Sequence, residues 1–401
     1  MSDIERLMAA FESGDLLRPS ADGPGLVDLA NAIASVMGSD GVPLGDSARR
    51  IAGLINGAEH LVLVAVDGLG MDAVRSLGHD AFIPGHVKMQ LQSVFPTSTP
   101  VAFTSLATGR WPSGHGVIGW DAYVPEGDCV ATIIHFVRRS DGKNLSKLGV
   151  SPQQLYPVPS TVGGFCRDSL SLLPKDLVNS EYSTYVAGGT PQRGYDTLAR
   201  AVNTAVQRVL NAKRPTFTYL YTPIVDSTAH EYGASHEKTL SAALQVDREV
   251  ARLVEGLPDR AVVVLTADHG LLDTDEQLSQ RIEPDGQLLE CVVGEPWGDK
   301  RVANFRVRPG DEGRFERLFK ERFGDLFYLI GIDEAEGLEL YGPGKLSTVT
   351  RSRLGSHIAL SAGADILSYP FATTQEEKRM VSHHSGLSLS EMLVPLAVVE
   401  A

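Results

Sequence analysis

Leu61–Val66 reads LVLVAV, apolar at every position, and is followed at once by Asp67 and Gly68. A strand with one face in water alternates apolar and polar residues, whereas a strand apolar throughout is covered on both faces. Runs of the same kind recur at Phe217–Tyr221 (FTYLY), Ala261–Leu265 (AVVVL) and Leu393–Val399 (LVPLAVV). Helical patterns lie between them, clearest at Leu240–Val254, where apolar residues fall three and four apart. Strands alternating with helices predict an α/β fold: a central, mostly parallel sheet with helices on both faces. Upstream, residues 1–58 read as helices (ERLMAAFES, LVDLANAIASVMG, DSARRIAGLI) with polar and Gly-rich breaks.

Two stretches interrupt the alternation. Residues 120–195 are rich in Gly, Pro, Ser and Tyr and carry no long period. Residues 280–375 hold a strand pattern (VANFRV), a helix pattern (GRFERLFKERFG) and a second strand pattern (SHIALSA). The reading assigns 1–119, 196–279 and 376–401 to an α/β core, 120–195 to an insert over the site, and 280–375 to a small α+β cap insert.

Of the 401 residues, 43% are hydrophobic, enough for a large core, and the formal net charge is −14. That charge repels nucleic acid, whose binding rests on Lys and Arg at phosphates, so no nucleic-acid polymer is expected as partner. An anionic substrate then needs a local source of positive charge, such as bound metal ions. The three cysteines are widely spaced and suggest neither a disulfide framework nor a Cys zinc site. No signal peptide or membrane span is read, so the expectation is a cytoplasmic protein with no membrane partner. The oligomeric state is left open.

Each apolar run ends in a polar residue suited to metal or phosphate, and ligands of open α/β sheets bind beyond the carboxyl ends of the strands. Asp67 ends the first and is a hard oxygen donor; alone, a helix-capping role would be the commoner one. After FTYLY comes TPIVDSTAHEYG, where Asp226 and His230 are four apart and share a helix face. VVVLTADHG ends in Asp268 and His269, which face one ligand only if the chain turns, as Gly270 allows. In FPTSTPVAFTSLATG, Thr99 precedes Pro100 and a helical stretch, which predicts a helix N-cap beside free backbone N–H groups, a place for phosphate. Thr97 and Ser98 lack that position. His383 and His384 stand before the last strand, and either would complete a donor set. His60, His79, His86, His135, His236 and His357 lack partner sets, and His115 is expected in a turn or supporting the site.

These motifs, VDGLG, PTSTPVAFTSLATG with SGHGVIG, VDSTAHEYG, TADHG and HSGLS, resemble the alkaline phosphatase superfamily, most of all its nucleotide pyrophosphatase / type I phosphodiesterase branch. The resemblance covers roughly residues 60–120, 215–275 and 380–400. It implies two divalent metal ions, zinc in the first instance. Asp226, His230 and His384 would hold one; Asp67, Asp268 and His269 the other, with Thr99 bridging to it as nucleophile. His384 is preferred to His383 because it directly precedes a Ser-Gly turn where the family has His-Gly. Position 102, three residues past the nucleophile, is Ala102 where diester-active members are expected to carry Asn, which leaves diester against monoester open. The implied activity is hydrolysis of a phosphodiester or pyrophosphate bond through a phospho-threonine intermediate, on a small phosphorylated substrate such as a nucleotide. The alternatives are a phosphomonoesterase or phosphonate hydrolase on the same site, or a metal-binding scaffold without catalysis. A sulfatase would need a Cys or Ser nucleophile, and no G-x-G-x-x-G follows the first strand to suggest a dinucleotide fold.

Overall fold

In the computed structural model, which describes residues 1–274, 279–283, 286–369 and 379–401, the four apolar runs lie in one seven-stranded sheet. Its order is Val87–Gln92, Leu393–Glu400, Ala261–Thr266, His60–Val66, Thr216–Thr222, Asp168–Pro174 and Gln192–Tyr195. From Ala261–Thr266 to Gln192–Tyr195 every pair is parallel; Leu393–Glu400 runs antiparallel to both its neighbours. The α/β architecture with a mostly parallel sheet is the one the sequence predicts.

Both faces are covered, as uninterrupted apolar strands require. Successive strand residues point to opposite faces. Phe217 and Tyr219 line a small apolar cavity with Ala30 and Ile33 of helix Leu26–Val36 and Phe103 of helix Thr99–Thr108. Thr218, between them, points the other way and accepts a hydrogen bond from Arg208 of helix Leu198–Leu210. The helices read in residues 1–58 form at Asp3–Ser13, Leu26–Val36 and Asp46–Ile55. No helix among the described residues is long and apolar enough to cross a membrane.

The boundary drawn around residues 120–195 needs correction. Asp168–Pro174 and Gln192–Tyr195 are strands of the central sheet, extending it beyond Thr216–Thr222. The sequence does not mark them as strands because DSLSLLP mixes serines with leucines and QRGY has no apolar run. The inserted part of that stretch is a three-stranded sheet, Asp121–Val124, Cys129–Thr132 and Val137–Arg138. The second insert forms as an α+β lobe. Its antiparallel sheet runs Trp297–Asp299, Val302–Phe305, His357–Ser361, Phe327–Gly331, and helix Glu312–Phe323 buries Phe315, Phe319 and Phe323 in a core of the lobe's own. The limit placed at 375/376 lies outside the described residues.

The lobe is pinned to the core by a buried ion pair. Arg301 Nε donates to Glu391 Oε1 at 2.7 Å and Nη2 to Oε2 at 3.1 Å, and neither side chain meets solvent. Removing one partner of a buried pair strands the other charge in a low-dielectric interior. Glu391→Ala is therefore expected to lower the unfolding free energy by about 3–5 kcal/mol, read from urea denaturation; a change below about 1 kcal/mol would contradict a dry, uncompensated pair.

Candidate active site

The carboxyl ends of three adjacent parallel strands meet at one pocket. Asp67 follows His60–Val66, Asp226 lies on helix Ile224–Tyr232 after Thr216–Thr222, and Asp268 lies just past Ala261–Thr266. The backbone already links two of them, since the Asp226 N–H donates to the Asp67 carbonyl at 3.1 Å. Gly68 permits this approach: its φ is 73°, and a Cβ there would lie 2.9 Å from Asp226 Cα. The turn expected at Gly270 is also enforced by space, because a Cβ on Gly270 would lie 2.0 Å from the Ser390 carbonyl oxygen.

The sequence-predicted residues come together. His269 Nε2 lies 3.2 Å from Asp268 Oδ2 and 3.6 Å from Asp67 Oδ1, and Thr99 Oγ1 is 3.3 Å from the same nitrogen. His230 Nε2 is 3.2 Å from Asp226 Oδ1, and His384 Nε2 is 3.9 Å from that oxygen. Two groups have donor atoms all within 4.8 Å of one another: Asp67 with Asp268 and His269, and Asp226 with His269 and His384. His269 stands between the two halves, its ring stacked on His384 at 3.7 Å. The partition implied by the resemblance is thus blurred at His269, while His230 joins through Asp226.

Burial makes this pocket electrostatically demanding. Burial, then the carboxylates of Asp268 and Asp226, push the Asp67 carboxyl well above its ordinary range. Burial also raises Asp268, against the pull of His269. For Asp226, burial acts upward but is outweighed by His230, His384 and His269, which hold its carboxyl below the usual range. Asp67 Oδ1, Asp226 Oδ1 and Asp268 Oδ2 are buried and have no hydrogen bond among the described residues. Unbonded buried carboxylate oxygens are costly unless a cation meets them. The donor set of carboxylate oxygen and imidazole nitrogen fits a divalent ion such as zinc.

Supporting groups fix the donors. His230 Nδ1 is bonded to the Ser382 carbonyl at 2.7 Å, His384 Nδ1 to the Thr97 carbonyl at 2.7 Å, and His269 Nδ1 to the Gly270 carbonyl at 3.1 Å. Each contact occupies Nδ1 and turns Nε2 towards the carboxylates. His383 turns away to Thr274 Oγ1 at 2.7 Å, so the choice of His384 agrees with the geometry. Sequence reasoning missed Tyr221, whose hydroxyl donates to Asp67 Oδ2 at 2.6 Å and so leaves Oδ1 as the free oxygen. Its place follows from the pairing of strands, which sets Tyr221 beside Ala65, two residues before Asp67, where a buried tyrosine hydroxyl finds a partner.

One reading needs correction at Thr99. The N-cap is Ser98, and Thr99 is the first residue of helix Thr99–Thr108. Val101 and Ala102 both donate to the Ser98 carbonyl and Pro100 has no N–H, so the Thr99 N–H is the donor left at this helix end among the described residues. Ala102, three residues on from Thr99 in the same helix, is fully buried and packs in the main hydrophobic core. His115 and His60 have structural partners, Ser105 with Val117, and Thr216.

Fold and donor set together place the chain among alkaline phosphatase-like proteins. It belongs to the type I phosphodiesterase / nucleotide pyrophosphatase family, whose model matches residues 61–311. The match contains every predicted site residue except His384. Venom phosphodiesterase 2 of Crotalus adamanteus is 25% identical over 224 residues, 53% of this chain but 26% of that protein. Ectonucleotide pyrophosphatase/phosphodiesterase family member 3 of Bos taurus is 25% identical over 196 residues, 46% of this chain and 21% of that protein. The chain thus spans about a quarter of the length of these curated relatives. Among solved structures, murine ectonucleotide pyrophosphatase / phosphodiesterase 5 superposes with a TM-score of 0.62 at 16% identity, covering 84% of this chain and 87% of that one. Phosphonoacetate hydrolase from Sinorhizobium meliloti 1021 superposes with a TM-score of 0.61 at 18% identity, covering 86% and 91%.

The turn after His384 carries a local strain. Ser385 has φ of 101°, a left-handed backbone that glycine adopts freely, and its buried Oγ has no partner among the described residues. Its N–H donates to Thr97 Oγ1 at 2.9 Å, a bond glycine keeps. Ser385→Gly is expected to raise the unfolding free energy by about 1 kcal/mol, read from the urea midpoint. A lowered midpoint would instead assign the Ser385 hydroxyl a partner in the site.

Proposed function

We propose that this chain is a metal-dependent phosphoesterase that hydrolyses a phosphodiester or pyrophosphate bond of a small substrate through a covalent intermediate on Thr99. The observation that carries the reading is the placement of Thr99 Oγ1, a buried helix-end hydroxyl 3.3 Å from His269 Nε2, beside carboxylates with unbonded oxygens. Asp226, His230 and His384 would hold one divalent ion, and Asp67, Asp268, His269 and Thr99 the other. When bound, such ions supply positive charge to the phosphoryl oxygens and favour ionised hydroxyl and water at neutral pH.

The chain's own residues do the rest. Thr99 Oγ attacks phosphorus while the bond from phosphorus to the leaving oxygen breaks, the electron pair passing to that oxygen. The Thr99 proton goes to solvent and the leaving oxygen takes one up. The Thr99 N–H, at the positive end of its helix, faces the developing phosphoryl charge. Water then attacks phosphorus, the bond to Thr99 Oγ breaks, and Thr99 recovers its proton. A diester plus one water gives an alcohol and a monoester; a pyrophosphate bond gives two phosphates. Nucleotide-sized substrates suit the reading, since an inactive variant of the murine neighbour has been solved with AMP.

A phosphonate hydrolase is the second reading. Its support is the structural likeness: the phosphonoacetate hydrolase neighbour superposes over 91% of its chain, beside 87% for murine ectonucleotide pyrophosphatase / phosphodiesterase 5. On that reading the leaving atom is a carbon, which takes up the proton.

Rates on para-nitrophenyl phosphate, its bis-ester and phosphonoacetate, for wild type and Thr99→Ala, test both. The expected result is fastest turnover of the bis-ester, abolished by chelation and lowered about 10³-fold or more in Thr99→Ala. Full activity in Thr99→Ala would overturn the nucleophile. Preference for phosphonoacetate would establish the second reading over the first.

A further inference from the structure

The α+β lobe touches the site through one hairpin. Its strands Trp297–Asp299 and Val302–Phe305 pair antiparallel, with Lys300 and Arg301 at the tip. Arg301 is held by Glu391, and Glu391 also accepts from the Gly386 N–H at 2.7 Å and from the Ser388 hydroxyl at 2.6 Å. One flank of the tip therefore braces the turn that follows His384. The other flank carries Asp299. Its Oδ1 accepts from the hydroxyl of Ser98 at 3.0 Å, and its Oδ2 accepts from the Trp120 N–H at 3.1 Å.

Ser98 is the N-cap of the helix that begins at Thr99, yet its side chain makes no cap bond to that helix. Ser98 is fully buried and its hydroxyl is spent on Asp299 instead. The approach is close. A Cβ on Gly119 would lie 2.8 Å from Asp299 Oδ2, so the chain before Trp120 leaves room for this carboxyl and nothing larger. Among the described residues no cation pairs with Asp299, and the charged group that acts on it, Asp121, is itself paired with Arg139. Burial and the Asp121 carboxylate push Asp299 up to about 7. A buried carboxyl bonded to the residue that precedes Thr99 points to a role beyond holding the lobe.

We infer that Asp299 is a positioning residue for Thr99: from the inserted lobe, through the Ser98 hydroxyl, it fixes the first turn of the nucleophile helix so that Thr99 Oγ1 faces the donor cluster. The inference rests on the Thr99 reading above. It makes the lobe part of the catalytic apparatus. Misplacement of a reacting atom by about 1 Å costs on the order of 10²-fold in rate without a matching loss of binding.

The test compares Asp299→Ala, Asp299→Asn, Ser98→Ala, the Ser98→Ala/Asp299→Ala double variant and Thr99→Ala on the aryl ester that wild type cleaves fastest. Expected for Asp299→Ala and Ser98→Ala is a fall in kcat of about 10–100-fold with KM within about threefold of wild type. The double variant should be no worse than the weaker single one, because both remove one link. Asparagine can accept from the Trp120 N–H and donate to Ser98 Oγ, so Asp299→Asn should stay within about threefold of wild type. If Asp299→Ala fails to fold, Ser98→Ala and Asp299→Asn carry the test, since Ser98→Ala leaves the lobe and its ion pair untouched. Unchanged kcat in Ser98→Ala, or fully additive losses in the double variant, would overturn the inference. An inactive Thr99→Ala alongside unchanged Asp299 and Ser98 variants would overturn this inference alone. An active Thr99→Ala would overturn the reading on which it rests.

Discussion

Three carboxylates, those of Asp67, Asp226 and Asp268, share one buried pocket, and one oxygen of each has no hydrogen bond among the described residues. Like charges so close in a low-dielectric interior repel strongly and lose their hydration. The imidazoles of His230, His269 and His384 relieve part of that cost, as the lowered carboxyl range of Asp226 shows. For Asp67 the balance stays unfavourable, because Tyr221 supplies only a neutral donor. Divalent ions would resolve the remainder, and the same ions would supply the local positive charge that an acidic chain lacks. Sheet, glycines and supporting hydrogen bonds all serve to hold these groups in that costly arrangement.

The arrangement is held from two directions. The parallel strands bring the carboxylates to one edge, and glycines at 68 and 270 let the segments behind them come within van der Waals distance. From the opposite side, Thr97 ties the segment that carries Thr99 to the turn after His384: its hydroxyl donates to the Gly386 carbonyl and accepts from the Ser385 N–H. The lobe hairpin adds contacts to the same two segments through Asp299 and Arg301. Thr99 and His384, which come from distant parts of the chain, are therefore fixed relative to each other before any substrate arrives.

Much of this was legible in the sequence, and the reasons are specific. The strands at Leu61, Phe217, Ala261 and Leu393 announce themselves because covered strands are uninterruptedly apolar. Asp67, Asp268 and His269 are legible because polar residues ending such runs have no packing role, and Asp226 with His230 because four-residue spacing shares a helix face. Strands with mixed patterns were not legible: Val87–Gln92 alternates at the exposed edge of the sheet, and Asp168–Pro174 buries serines among its leucines. Tyr221 and Asp299 were not singled out because their roles depend on pairing across strands and between lobes, which residue order does not encode. The displaced N-cap shows the finer limit: a helix can be placed from Pro100, but which residue caps it follows from the local backbone.

We propose that these carboxylates and imidazoles form two cation sites sharing one pocket. Calorimetric titration of zinc into metal-stripped protein, for wild type, Asp226→Asn and Asp268→Asn, tests it most directly. The account predicts about two ions per chain in wild type and about one in each variant, with the surviving site weakened. Binding of less than one ion by wild type, or two ions undiminished in both variants, would contradict it.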